Sequence, residues 1–118
     1  MNSLLSYAFL VLGVPLTLVG AVVCTRWYFF WRRNFDGSLI TYGPFERVRH
    51  PFYSGFLAFT VGLALVLPAA DTIGLAGISV MSIFYYMPRE EKEFMKTQER
   101  AYREYMERVP WRLIPRVY

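Results

Sequence analysis

The chain has one cysteine, Cys24, and one histidine, His50, in 118 residues. A lone cysteine excludes a disulfide within the chain, and with a single imidazole it argues against a metal site, which draws on several nitrogen and sulfur ligands. Charge is missing from long stretches as well. Residues 1–25, 51–70 and 72–88 contain no Asp, Glu, Lys, Arg or His. Proton- and ion-coupled transporters normally place such a residue at mid-membrane, so the gap counts against a small transporter. No basic residue precedes the first stretch and its apolar part is too long, which sets it apart from a cleavable signal peptide.

What is present is hydrophobic residues, at 55% of the chain, gathered into those same stretches. About 20 apolar residues in a helix cross the ~30 Å hydrocarbon core of a bilayer. Spans are expected at about 4–25, 51–70 and 72–88, joined by a loop at 26–50 and followed by a tail at 89–118. All 13 Lys and Arg fall in that loop and tail. The asymmetry places the N-terminus outside and the loop and C-terminus in the cytoplasm. The net charge of +4 then reads as a topology signal and gives no reason to infer nucleic-acid binding. The expected fold is all-α: an integral membrane helical bundle with three transmembrane helices and a C-terminal amphipathic helix, in one domain over 1–118.

Span one contains Gly13-Val14-Pro15, a candidate kink, and runs into Trp27-Tyr28-Phe29-Phe30-Trp31 among Arg26, Arg32 and Arg33. Aromatic and basic residues together mark a headgroup layer, an interfacial belt; the alternative reading of some of these rings is as walls of a cofactor site. Turn chemistry recurs at Asp36-Gly37-Ser38 and Gly43-Pro44. Pro51 suits the first turn of span two, which closes near Pro68. Asp71 can cap span three, so spans two and three form a hairpin. Beyond Pro88, Phe94, Met95, Ala101, Tyr102, Tyr105, Met106 and Val109 recur at helical spacing. They predict an amphipathic helix over about 89–109, stopped by Pro110, lying on the membrane or across the cytoplasmic mouth of the spans.

Polar chemistry is therefore confined to the cytoplasmic rim. Each feature there has a plain reading: His50 and Tyr53 as interfacial residues, Glu90 and Glu91 as acids offsetting a helix dipole. The hairpin changes this, because it returns Glu90-Glu91 to the membrane surface that holds Arg49-His50-Pro51-Phe52-Tyr53-Ser54-Gly55.

Taken with Gly43-Pro44-Phe45, Tyr102-x-x-Tyr105, Val109-Pro110 and Ile114-Pro115, this pattern resembles the isoprenylcysteine carboxyl methyltransferase family, integral-membrane enzymes related to the phospholipid N-methyltransferases. The resemblance covers roughly two thirds of the chain. It implies methyl transfer from S-adenosylmethionine to a lipophilic, isoprenoid- or lipid-bearing substrate. It also implies cofactor-binding roles for Ser38, Leu39, Ile40, Phe45, His50, Pro51, Phe52, Tyr53, Glu90 and Glu91. A carboxylate can receive ribose hydroxyls or an ammonium, Arg49 and His50 can serve a carboxylate or an adenine edge, and aromatic faces attract a sulfonium. An anionic acceptor needs no base. For an amine, His50 and Glu91 are the candidate bases.

Members commonly carry further spans ahead of this core, so the resemblance implies that part of the usual scaffold is either missing or supplied by another subunit or copy. The eukaryotic prenylcysteine enzymes place an arginine one helical turn before the glutamate pair, where this chain has Tyr86. Arg89 and Arg112 are the candidate replacements for meeting the substrate. Two other readings stay open: a phospholipid amine N-methyltransferase, and a non-catalytic membrane scaffold or transporter subunit.

Overall fold

The computed structural model describes residues 3–118. Met1 and Asn2, counted above in the single domain and in the first charge-free stretch, lie outside the described residues. The chain is all-α. Helix α1 spans Ser3–Asn34, a one-turn 3-10 helix spans Gly43–Glu46, and α2 (Pro51–Val66), α3 (Ala70–Thr97) and α4 (Glu99–Arg108) follow.

Helix α2 is the middle element, packed against α1 on one side and α3 on the other. Glycine lets α1 and α2 approach closely. A Cβ on Gly20 would lie 2.5 Å from Gly55 O and 2.7 Å from Phe59 Cα, so no side chain fits there without separating the backbones. Small residues at such crossings are the usual device where lipid surrounds the pair and van der Waals packing holds it. The outward side of α1 fits that setting: Leu4, Val11, Leu12 and Leu18 are exposed, and within the helix only Gly13 and Gly20 are buried.

By length and composition α1 and α3 can cross a membrane. Helix α2 is apolar but has 16 residues, about 24 Å at 1.5 Å per residue and short of the ~30 Å core. The expected count of three crossing helices thus reduces to two by this criterion.

Several expected boundaries move. The first helix does not stop at Thr25 but continues to Asn34, with Arg32 and Arg33 in its last turn. Charge marks where the apolar layer ends, and a helix has no reason to end there, since cations suit its C-terminus. Helix α2 closes at Val66, earlier than residue 70, where Leu67 N–H reaches back to Leu63 O just ahead of Pro68, which has no N–H to give.

Asp71 is not the cap of α3. Ala69 holds that position and Asp71 sits in the first turn, while Thr72 Oγ1 accepts the Ala69 N–H at 3.0 Å. Helix α3 also runs through Pro88 to Thr97, losing one N–H bond where a stop was expected. The single amphipathic helix over 89–109 is therefore two pieces: the end of α3, and α4. They part at Gln98, which leaves the helical region at φ −141° and ψ 50°. The apolar face of α4 is turned into the protein. Tyr102 and Tyr105 are buried together with Val109, against Leu39, Phe45 and Phe94.

Candidate functional site

Helix α4 clamps the loop between α1 and α2. The Tyr105 hydroxyl donates to Phe45 O at 2.6 Å, and Leu39 N–H reaches the Gln98 side-chain oxygen at 3.4 Å. Within that loop Gly43 takes φ 67°, and a Cβ there would lie 2.6 Å from Cζ of Phe30. This turn needs glycine for both its backbone and its space. It sends the chain through the 3-10 turn so that Phe45 faces α1, with its ring centroid 6.3 Å from Phe30 and 6.5 Å from Trp31.

Between loop, helices and clamp lies a cavity of about 430 Å³, within the range of small-molecule sites. Ser38, Leu39, Ile40 and Phe45 line its loop side, and His50, Pro51, Phe52, Tyr53 and Glu90 its helix side. The structure thus brings nine of the ten expected cofactor residues to one cavity. Glu91 is the tenth and is not in the lining. The aromatic run of α1 contributes Trp27 and Trp31, Phe35, Phe94, Tyr102 and Tyr105 add further rings, and Gly37 and Arg49 complete the wall. Trp31 stacks on Phe35 at 4.0 Å, and Trp27 packs against Phe52 at 4.7 Å. The only sequence signal for Trp27 and Trp31 was the density of aromatic rings beside the basic residues.

Glu91 sits behind the wall, one helical turn beyond Pro88 and past the apolar part of α3. Its carboxylate gathers side chains from three other segments. Arg49 Nη2 lies 2.6 Å and His50 Nε2 3.2 Å from Oε1, the Tyr102 hydroxyl donates to the same oxygen at 3.2 Å, and Arg112 Nη2 lies 2.9 Å from Oε2. Arg49, His50 and Glu91 are all buried. Burial alone would raise the Glu91 pKa. The His50 hydrogen bond and the Arg49 and Arg112 charges outweigh it and hold the carboxyl at about 2. Burial first, then the Glu91 charge, pushes the Tyr102 phenol up, so it stays a donor.

Glu90 is different. Its side chain is 47% exposed, its carboxylate accepts the Tyr53 hydroxyl, and His50 Nδ1 is 4.0 Å away. His50 therefore stands between the two carboxylates, with one ring nitrogen toward each. On the polar side of the cavity, Arg49 Nε is buried with no hydrogen-bond partner among the described residues.

The residues expected to meet the substrate do not converge on the cavity. Tyr86 is 54% exposed and outside the lining, Arg89 lies over the Tyr85 ring at 4.3 Å, and Arg112 is engaged with Glu91.

Residues 2–103 match the phospholipid methyltransferase family. The chain belongs to that family. Among its relatives, Protein-S-isoprenylcysteine O-methyltransferase B of Arabidopsis thaliana is 34% identical over 82 residues, covering 67% of this chain and 41% of that protein. The cobalt-zinc-cadmium resistance protein CzcN of Cupriavidus metallidurans is 28% identical, covering 84% of this chain and 44% of CzcN. The Delta(14)-sterol reductase TM7SF2 of Mus musculus is 33% identical, covering 69% and 20%. The chain thus spans less than half the length of these relatives. No solved structure gives a significant match. Family membership agrees with the resemblance carried by the Arg49–Gly55 motif and the glutamate pair.

Proposed function

We propose that this chain is an S-adenosylmethionine-dependent methyltransferase acting on a lipophilic acceptor at the cytoplasmic face of a membrane. The N-terminus is read as outside and three helices as embedded, α2 being supported by its neighbours. The observation that carries the reading is the cavity itself. It joins Ser38, Leu39, Ile40 and Phe45 to His50–Tyr53 and Glu90 beside the tryptophans of a membrane-boundary helix.

The donor set suits this cofactor. Aromatic faces are present for a sulfonium and an adenine, the half-exposed Glu90 carboxylate for ribose hydroxyls or an ammonium, and the unpartnered Arg49 Nε with His50 for a carboxylate. When bound, S-adenosylmethionine supplies an electrophilic methyl group and leaves as a neutral thioether. The chain's own task is to orient two reactants and exclude water, which is where most of the rate gain of such a transfer arises. Phe45, Trp31 and Tyr105 close the cavity from the loop side, while Tyr53 fixes the Glu90 carboxylate. Of the two candidate bases, Glu91 is held ionised far below neutral pH. His50 is the residue left to take a proton from an amine acceptor.

One observation favours the amine reading over a carboxylate acceptor. Arg112 is paired with Glu91, and Arg89 lies on Tyr85. Neither lines the cavity, so neither stands where a substrate carboxylate would meet the methyl donor. The acceptor is then a phospholipid amine, with prenylcysteine as the second choice. Protein in lipid vesicles, given methyl-labelled S-adenosylmethionine with an ethanolamine lipid or a prenylcysteine, tests this. Label stable to mild base in the ethanolamine lipid is expected, and base-labile methyl ester would favour prenylcysteine. Transfer to neither would leave the scaffold reading.

A further inference from the structure

The segment after α4 enters the reading above only through the Arg112 side chain, yet three successive residues of it bond to the cavity wall and the first turn of α2. Trp111 O accepts Arg49 N–H at 2.9 Å, Arg112 O accepts His50 N–H at 3.0 Å, and Leu113 O accepts the Ser54 hydroxyl at 2.6 Å. A helix start leaves its first N–H groups without intrahelical partners, and this strap serves the two residues that lead into α2. Buried side chains seat it at both ends: Val109 against Tyr102 and Tyr105, and Leu113 against Ile83 and Met87.

The Arg112 side chain then crosses back to Glu91. It takes Oε2, whereas Arg49 and His50 share Oε1. One residue thus holds His50 twice, directly through its carbonyl and indirectly through the carboxylate that His50 also uses. Residues 109–113 lie beyond the part of the chain matched to the family, which ends at residue 103.

We propose that Arg112 is a positioning residue: its carbonyl and its guanidinium together fix His50 and Arg49 in the cavity wall. What the cavity binds rests on the methyltransferase reading, but the positioning rests on geometry alone. Without the guanidinium, Glu91 Oε2 loses its cation in a buried setting. Arg49 and His50 then compete to rearrange around one carboxylate. The backbone bonds of the strap remain, so the imidazole loosens more than the helices do.

Because His50 is the only histidine, selective histidine labelling of the intact protein in nanodiscs gives a single imidazole NMR signal. The variants are Arg112→Ala and Arg112→Lys, with Arg112→Gln in place of the alanine form if that does not fold. Each is measured for the imidazole signal, for the Kd of S-adenosylhomocysteine, and for the thermal midpoint. Arg112→Ala is expected to shift and broaden the signal and to raise Kd about tenfold, less than the loss of a fully buried pair because the Arg112 side chain is 35% exposed. Arg112→Lys, which keeps a cation for Oε2, is expected to recover much of both. An unchanged signal in Arg112→Ala overturns the proposal, and so does a change that Arg112→Lys does not reduce, since that marks packing alone. If the parent binds no S-adenosylhomocysteine while the signal still moves and recovers, the methyltransferase reading fails and the positioning role stands.

Discussion

His50 Nε2 lies 3.2 Å from Glu91 Oε1, across 41 positions of sequence and two helices. Arg49 and Arg112 share the same carboxylate. Glu91 thereby ties the start of α2, the end of α3 and the tail into one buried cluster. Replacing one member of a buried ion cluster leaves the others without counter-charge, a loss of about 3 kcal/mol or more. Glu91→Gln should lower the thermal midpoint in detergent by much more than Glu90→Gln, whose side chain is half exposed. Equal midpoints for the two variants would contradict the assignment of Glu91 as the anchor.

The same carboxyl sets a pH dependence. Its folded pKa, about 2, is below the model-peptide 4.5, so the folded state favours the ionised form. That stabilisation is complete above about 4.5 and is lost as pH falls toward 2. A shift of this size corresponds to on the order of 3 kcal/mol. Unfolding free energy measured between pH 6 and 2.5 should drop through this window in the parent. Glu91→Gln should show a flatter profile, and parallel profiles would count against the account.

The α1–α2 contact predicts opposite outcomes for two glycines. Gly20→Ala forces a methyl against Gly55 O and the Phe59 backbone, and overpacking of this kind costs about 1–3 kcal/mol. A Cβ on Gly77 in α3 meets nothing within 4 Å, and alanine is the better helix former by ~1 kcal/mol. Gly20→Ala should therefore destabilise while Gly77→Ala does not, as read by thermal unfolding of the two variants side by side.

Much of this arrangement was legible in the sequence, and the reasons it was legible also explain the misses. Charge-free stretches located the apolar helices, because a bilayer excludes charge whatever the packing. The hairpin rule brought Glu90 and Glu91 back to His50, because helix direction is fixed by the short link at 67–69. Helix ends were not legible. Asn34 and Thr97 lie in polar sequence, where hydropathy no longer reports on the backbone and a proline at 88 reads as a stop. The division of labour between the two glutamates was hidden as well. Adjacent residues on a helix point about 100° apart, so Glu90 meets the cavity while Glu91 meets the arginines, and only the packed structure decides which is which. For Tyr102 and Tyr105 two seats stayed open, on the membrane or across the mouth of the spans, because periodicity gives the apolar side of a helix, not its partner.

That partner is the loop, and it yields a further prediction. Tyr105→Phe removes the hydroxyl that holds Phe45 O at 2.6 Å while keeping the buried ring. One such bond contributes about 0.5–1.5 kcal/mol. Hydrogen exchange at residues 43–48 should quicken in the variant, with α1 and α2 unaffected. Unchanged exchange in the loop would mean that α4 does not clamp it.

The central claim, that Ser38, Leu39, Ile40 and Phe45 of the loop, His50–Tyr53 and Glu90 form one donor-binding cavity, is tested most directly by calorimetry of the intact protein with S-adenosylhomocysteine in detergent. One site per chain is predicted for the parent, with clearly weaker binding by His50→Ala and by Glu90→Ala at unchanged membrane insertion. No binding by a folded parent, or variants that bind as well as the parent, would contradict it.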